Sequence, residues 1–240
     1  MMTLNEYKSL KENFVNTMQE LIVSGALKPG DRLPTERELA EQYSISRSSV
    51  NQGIIDLERM GFLRIIPRKG TYVAEYIQNA TTETLTAIMS HNSDKVESSL
   101  FKDLMALRIL VERECVRLAS LNINSAAIAQ LSEKTDAIFS TQGDSSAVYE
   151  FHRFLVQLSG NSAYTVVFRS FEKMLRSMIQ LHYSYKKEVQ KSFPYYASIE
   201  AAVSRGDSDE AARLMEELLY QASGYLDKIL RAREITDAEK

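Results

Sequence analysis

Two helix-start signals eleven positions apart constrain this chain more than any other feature. In LPTERELAEQYSISRSSV, Thr35 with Glu38 three residues later is a capping box. Ser46 heads a second run in which Val50, Ile54 and Leu57 share one face. The spacing predicts two short helices joined by a tight turn, the second closed by Gly61 in the left-handed conformation. Upstream, Phe14, Met18, Leu21 and Ile22 form the apolar stripe of a first helix, which ends in GALKPGDRLP. Downstream, FLRII and GTYVA alternate about the turn PRK and read as a β-hairpin. Three helices plus a hairpin over residues 1–76 make a winged helix-turn-helix.

The rest of the chain obeys a different rule. Pro29, Pro34 and Pro67 fall in the first third of the chain, only Pro194 lies beyond, and the β signal disappears after the hairpin. From Thr82 to Ala232 apolar residues recur at helical spacing, as in Leu100, Leu104, Leu107, Val111, Cys115 and Leu118. Short polar turns such as LNIN, QGDS, SGNS and RGDS interrupt them, which predicts six or seven helices. The fold class is therefore mainly α: a winged helix-turn-helix at 1–76, a linker at 77–84, and an all-α helical bundle at 85–235. With 240 residues, 44% of them apolar, the chain can bury two such cores. No run approaches the roughly 20 apolar residues of a membrane span, and the polar first ten residues carry no secretory signal. A lone Cys115 forms no internal disulfide, so a cytoplasmic protein without membrane contact is expected.

A net charge of -3 argues against coating a polyanion, but charge is distributed unevenly. Arg64, Arg68 and Lys69 surround the hairpin turn with no acid between Glu58 and Glu75, a cluster suited to phosphate. A recognition helix needs short hydroxyls and amides at its first turn to hold phosphate and a long guanidinium to reach base edges. Ser46, Arg47, Ser48, Ser49 and Asn51 supply that set, with Arg37 as a second candidate for guanine or phosphate. Arg68 and Lys69 form the tip of the wing, with Lys69 directed to a minor groove, and Gly70 permits close backbone approach. The bland alternatives are a solvated face, with Arg37 paired to the flanking Glu36 and Glu38, and a non-catalytic protein-interaction module.

GDRLPTERELAEQYSISRSSV, followed by LERMGFLRIIPRKGTYV, resembles the winged helix-turn-helix of the GntR regulators. The family commonly has Arg at the position of Asn51 and Gly at that of Arg68, departures that bear on operator sequence. LRILVERECVRLA, EFHRFLVQLSGN and IEAAVSRGDSDEAARLM resemble the effector domain of the FadR subfamily within those regulators. The resemblance implies a transcriptional regulator, a homodimer on a pseudo-palindromic double-stranded operator, controlled by a small-molecule effector.

In many members of that subfamily an Asp and three His hold a divalent metal. The resemblance carries those positions onto Val148, His152, Tyr196 and Leu218, of which only His152 is a ligand, so no metal or other cofactor is expected. His152 is read as a satisfied core histidine or an effector contact, and Arg108, on an inward stripe, as a partner of Glu112 or an anion clamp. His182, Tyr183 and Tyr196 look similar to the metal-free branch of the subfamily, which binds long-chain acyl-CoA; a small organic acid bound without metal is the alternative. Aromatic residues at helical positions also serve simply as core. No glycine-rich phosphate loop, metal set or nucleophile triad supports an enzyme, and Cys115 lies on an inward stripe.

Overall fold

The structure, a computed structural model, describes residues 9–89, 98–183 and 186–238. The chain divides into two compact units.

The first unit contains α1 (Leu10–Val23), α2 (Glu36–Tyr43), α3 (Arg47–Arg59), the strands β1 (Leu63–Ile66) and β2 (Gly70–Val73), and α4 (Thr82–Met89). Thr35 and Glu38 close the expected capping box: the Thr35 hydroxyl accepts from the Glu38 amide at 3.3 Å, and the Thr35 amide donates to Glu38 at 2.7 Å. Ser46 caps α3 by accepting from the Ser49 amide at 3.0 Å. Gly61 takes φ of +80° just beyond α3, where a side chain would be strained. Phe14, Met18 and Ile22 of α1 bury against Val50, Ile54 and Leu57 of α3. The two helices approach closely because Gly53 has no side chain: a Cβ there would stand 2.7 Å from Phe14 Cδ1.

Strands β1 and β2 pair antiparallel, with Leu63 opposite Val73 and Ile66 opposite Gly70. Phe62 and Tyr76 stack at 5.6 Å beneath them. This unit extends past the residue-76 boundary read from sequence. Thr84 Oγ1 donates to the Met60 carbonyl at 2.6 Å, so α4 is fastened to the end of α3 across residues expected to be linker.

The second unit contains α5 (Ser98–Leu121), α6 (Ser125–Ser140), α7 (Ser145–Leu158), α8 (Ser162–Ser170), α9 (Glu172–Tyr183), α10 (Lys186–Ser204) and α11 (Ser208–Ala238). Asn124, Asp144 and Asn161 cap α6, α7 and α8 within the polar turns that marked the breaks in the sequence. Helix α5 is central, lying against α7, α8, α10 and α11.

Counted from Thr82, the described residues hold eight helices, α4 to α11, where six or seven were expected. The extra break falls at Phe171, between α8 and α9, with neither Gly nor Pro to signal it. The buried face of α5 keeps Leu104 and Cys115 of the expected stripe but is turned to take in Phe101, Met105 and Val116, whereas Leu107 is 37% exposed. Among the described residues no helix is long and apolar enough to cross a membrane.

Candidate functional site

In the first unit, helix α3 presents Arg47, Ser48 and Asn51 exposed at its N-terminal end. Arg47 makes no ion pair or side-chain hydrogen bond among the described residues, so its guanidinium is available to an external acceptor. Ser46 and Ser49 differ from that expectation in one respect. Their hydroxyls lie 2.9 Å apart and are committed to the helix cap, which leaves the exposed Ser48 as the freer hydroxyl.

Asn51 Nδ2 donates to Glu36 Oε1 at 2.8 Å, joining α3 to α2. The acids flanking Arg37 are thereby occupied elsewhere, Glu36 with Asn51 and Glu38 with the Thr35 cap. Backbone donation from Thr35 holds the Glu38 carboxyl below its usual range. Among the described residues the ion pair of Arg37 is with Glu41, at 4.0 Å in an exposed contact that contributes little, and its charge also acts on Glu38.

At the wing, the Lys69 amide donates to the Ile66 carbonyl at 3.0 Å, closing a β-turn with Pro67 second and Arg68 third. Arg68 has φ of +67°, the left-handed value that a type II turn places at its third residue and that favours glycine. A cation held at a strained position fits a functional demand. Arg68→Gly is expected to raise stability by about 1 kcal/mol and to weaken binding to any duplex. Thermal unfolding and duplex titration check the two effects, and unchanged duplex binding would show that the cation goes unused.

In the second unit, one cavity of about 20 Å³ gathers all six residues singled out from the sequence for an effector. Arg108 comes from α5, Val148 and His152 from α7, Tyr183 from α9, Tyr196 from α10 and Leu218 from α11. Arg108 Nε donates to Glu112 Oε1 at 2.6 Å, and both side chains are buried. The other Glu112 oxygen lies 2.5 Å from His152 Nδ1. Burial pushes the Glu112 carboxyl up, but the charge of Arg108 and the contact with His152 outweigh it and hold the pKa at about 2.

The Tyr183 and Tyr196 hydroxyls meet at 2.6 Å, and His182 Nε2 lies 3.3 Å from Ser192 Oγ. Burial pushes the Tyr183 hydroxyl up to about 12 and that of Tyr196 well above its usual value, so both remain protonated donors at neutral pH. The Arg108 terminal nitrogens donate to no described residue.

From sequence Arg108 reads as either a partner of Glu112 or an anion clamp, and Glu112 gives no sign of being the shared acceptor that also holds His152. The first pair is four residues apart on one helix, whereas His152 is forty residues away from Glu112 on another. The four positions compared with the family's metal ligands do lie together, but Val148 and Leu218 carry no donor atom and His152 Nδ1 is held by Glu112. These residues do not fit a metal ion. Burial pushes the Cys115 thiol up to about 12, which suits a packing role rather than a nucleophile.

Residues 10–73 match the family described as bacterial regulatory proteins, gntR family, and residues 103–221 match the FCD domain. The HTH-type transcriptional regulator LutR of Bacillus subtilis is 26% identical over 204 residues, covering 81% of this chain and 91% of that one. The Fatty acid metabolism regulator protein of Shewanella frigidimarina is 26% identical over 191 residues, 78% of each chain. Among solved structures, that of Lar from Listeria monocytogenes superposes with a TM-score of 0.57 at 17% identity, over 91% of this chain and 98% of that one, and shares the fold.

Proposed function

The chain belongs to the gntR family of bacterial regulatory proteins, a DNA-binding transcriptional regulator with an FCD effector domain, and from that premise we propose that an anionic effector with an apolar portion enters the α5–α11 cavity and changes operator affinity. The observation that carries this reading is Arg108. Its Nε is fixed by Glu112 while its outer nitrogens donate to no described residue at the cavity wall, a half-used fork suited to carboxylate or phosphate. Val148 and Leu218 face the same space, and an apolar crevice of Leu107, Val111, Phe168 and Leu175 lies beside Arg108 and Glu112.

A long-chain acyl-CoA or fatty-acid derivative satisfies both features, and a relative named for fatty acid metabolism supports that class. A small organic acid bound without metal is the second reading. It is favoured by the cavity itself, which at about 20 Å³ holds about one water, far below the roughly 300–1,000 Å³ of a drug-sized ligand site. Either ligand therefore has to widen the cavity, and a ligand that binds the widened form better shifts the regulator between its DNA-competent and incompetent states.

On the operator the regulator is a homodimer, because one winged module reads only a short half-site and two-fold symmetry doubles the contacts. Effector binding is expected to release DNA. The test is titration of acyl-CoAs and small organic acids into the protein–operator complex, with the paired variant Arg108→Gln/Glu112→Gln as control. Release by acyl-CoA in the wild type and its loss in the variant support the first reading. Release by a small acid alone supports the second, and a variant that responds like the wild type removes Arg108 from either.

A further inference from the structure

The hairpin is wider than its two strands. Residues 30–33 run along β2: the Gly30 amide donates to the Val73 carbonyl at 3.0 Å, the Val73 amide to the Asp31 carbonyl at 2.9 Å, and the Leu33 amide to the Thr71 carbonyl at 2.9 Å. Arg32 is thereby set opposite Tyr72, and Tyr72 is opposite Arg64 on its other side. Directly opposed residues project from the same face of a sheet, so Arg64, Tyr72 and Arg32 form one row across the wing. Arg32 and Arg64 are both exposed.

Gly70 gives this row a seat at the tip. A Cβ built there would stand 3.0 Å from Arg32 Nε and 3.4 Å from Nη2, so the guanidinium rests on the face that the missing side chain leaves bare. Gly70 also has φ of +126°, a backbone state that side-chain-bearing residues rarely adopt. Arg32 makes no side-chain hydrogen bond or ion pair among the described residues. A long cation is thus held in place by its backbone ladder and by Gly70, the residue that follows the exposed Arg68 and Lys69, and although its charge is felt by Glu38 it forms no ion pair among the described residues.

We propose that Arg32 is a further DNA-contact residue, one that grips a duplex phosphate alongside the wing tip, and that Gly70 positions it. The proposal rests on the DNA-binding reading of the winged helix. It assigns Gly70 a role toward a neighbouring side chain in addition to close approach of its own backbone. A phosphate contact carries no sequence information and releases about one counterion, so it has a signature distinct from that of a base reader.

The experiment titrates full-length protein with its operator and with a random duplex between roughly 50 and 200 mM salt, comparing wild type, Arg32→Gln and Arg32→Lys. Arg32→Gln is expected to weaken both duplexes about three- to tenfold and to lower the slope of log affinity against log salt by about one. Arg32→Lys keeps the slope, and melting temperatures stay unchanged because the side chain is exposed. Affinity and slope equal to wild type overturn the proposal, as does a loss confined to the operator with the slope intact. Wild type that binds neither duplex overturns the DNA-binding reading itself and is recognised before any variant is compared. For the seat, Gly70→Ala is measured in both backgrounds. Its backbone strain is common to the two, so its effect on affinity should shrink in Arg32→Gln, and an equal effect in both overturns the positioning role of Gly70.

Discussion

Arg108→Met is expected to cost about 3–5 kcal/mol of stability, because it leaves the Glu112 carboxylate buried with one of its two partners gone. The residue is 7% exposed and Glu112 2% exposed, so water cannot replace the guanidinium without opening the helical unit. Chemical denaturation measures the loss directly, and a change below about 1 kcal/mol would show that the carboxylate is solvated or protonated after all.

The same cluster predicts a pH dependence. The Glu112 carboxyl is held at about 2 in the folded protein against an ordinary value of 4.5, so the folded state binds this proton less tightly than the unfolded chain. The resulting stabilisation is fully present above pH 4.5 and is lost as pH falls from there through about 2. It amounts to about 3 kcal/mol at neutral pH. Glu112→Gln should remove this part of the acid limb while leaving the rest, and an acid limb identical to wild type would assign it to other carboxylates.

On DNA, the largest single effect is expected from Arg47→Ala. Arg47 is the first residue of α3, exposed and without an ion pair among the described residues. A guanidinium at the start of a recognition helix is long enough to reach base edges in a major groove, and a bidentate contact to guanine contributes about 1–3 kcal/mol of discrimination. The variant should therefore bind its operator about tenfold to a hundredfold more weakly while binding random duplex nearly as before. Footprinting across a genomic library supplies the operator, and competition against random duplex gives the ratio. Equal losses on both duplexes would make Arg47 a phosphate contact instead.

The first unit was largely legible in the sequence because its signals are local. A capping box needs only Thr35 and Glu38, a cap only Ser46 and Ser49, and a hairpin only two alternating runs about a Pro-containing turn. The Arg108–Glu112 pair was legible for the same reason, since residues four apart on a helix are neighbours before any tertiary contact forms.

What tertiary structure alone decided lies at longer range. That Glu36 accepts from Asn51 instead of pairing with Arg37 depends on how α2 meets α3. That Glu112 holds His152 as well as Arg108 depends on the packing of α5 on α7, and that Arg32 lies over Gly70 depends on a strand-like edge formed by a segment that reads as a loop. The break between α8 and α9 at Phe171 and the rotation of the buried face of α5 follow from burial among several helices at once. Periodicity and caps act within a few residues of chain and are written in the sequence, whereas the choice among partners far apart in sequence is made by close packing, which admits only arrangements in which every buried charge and side chain is satisfied together.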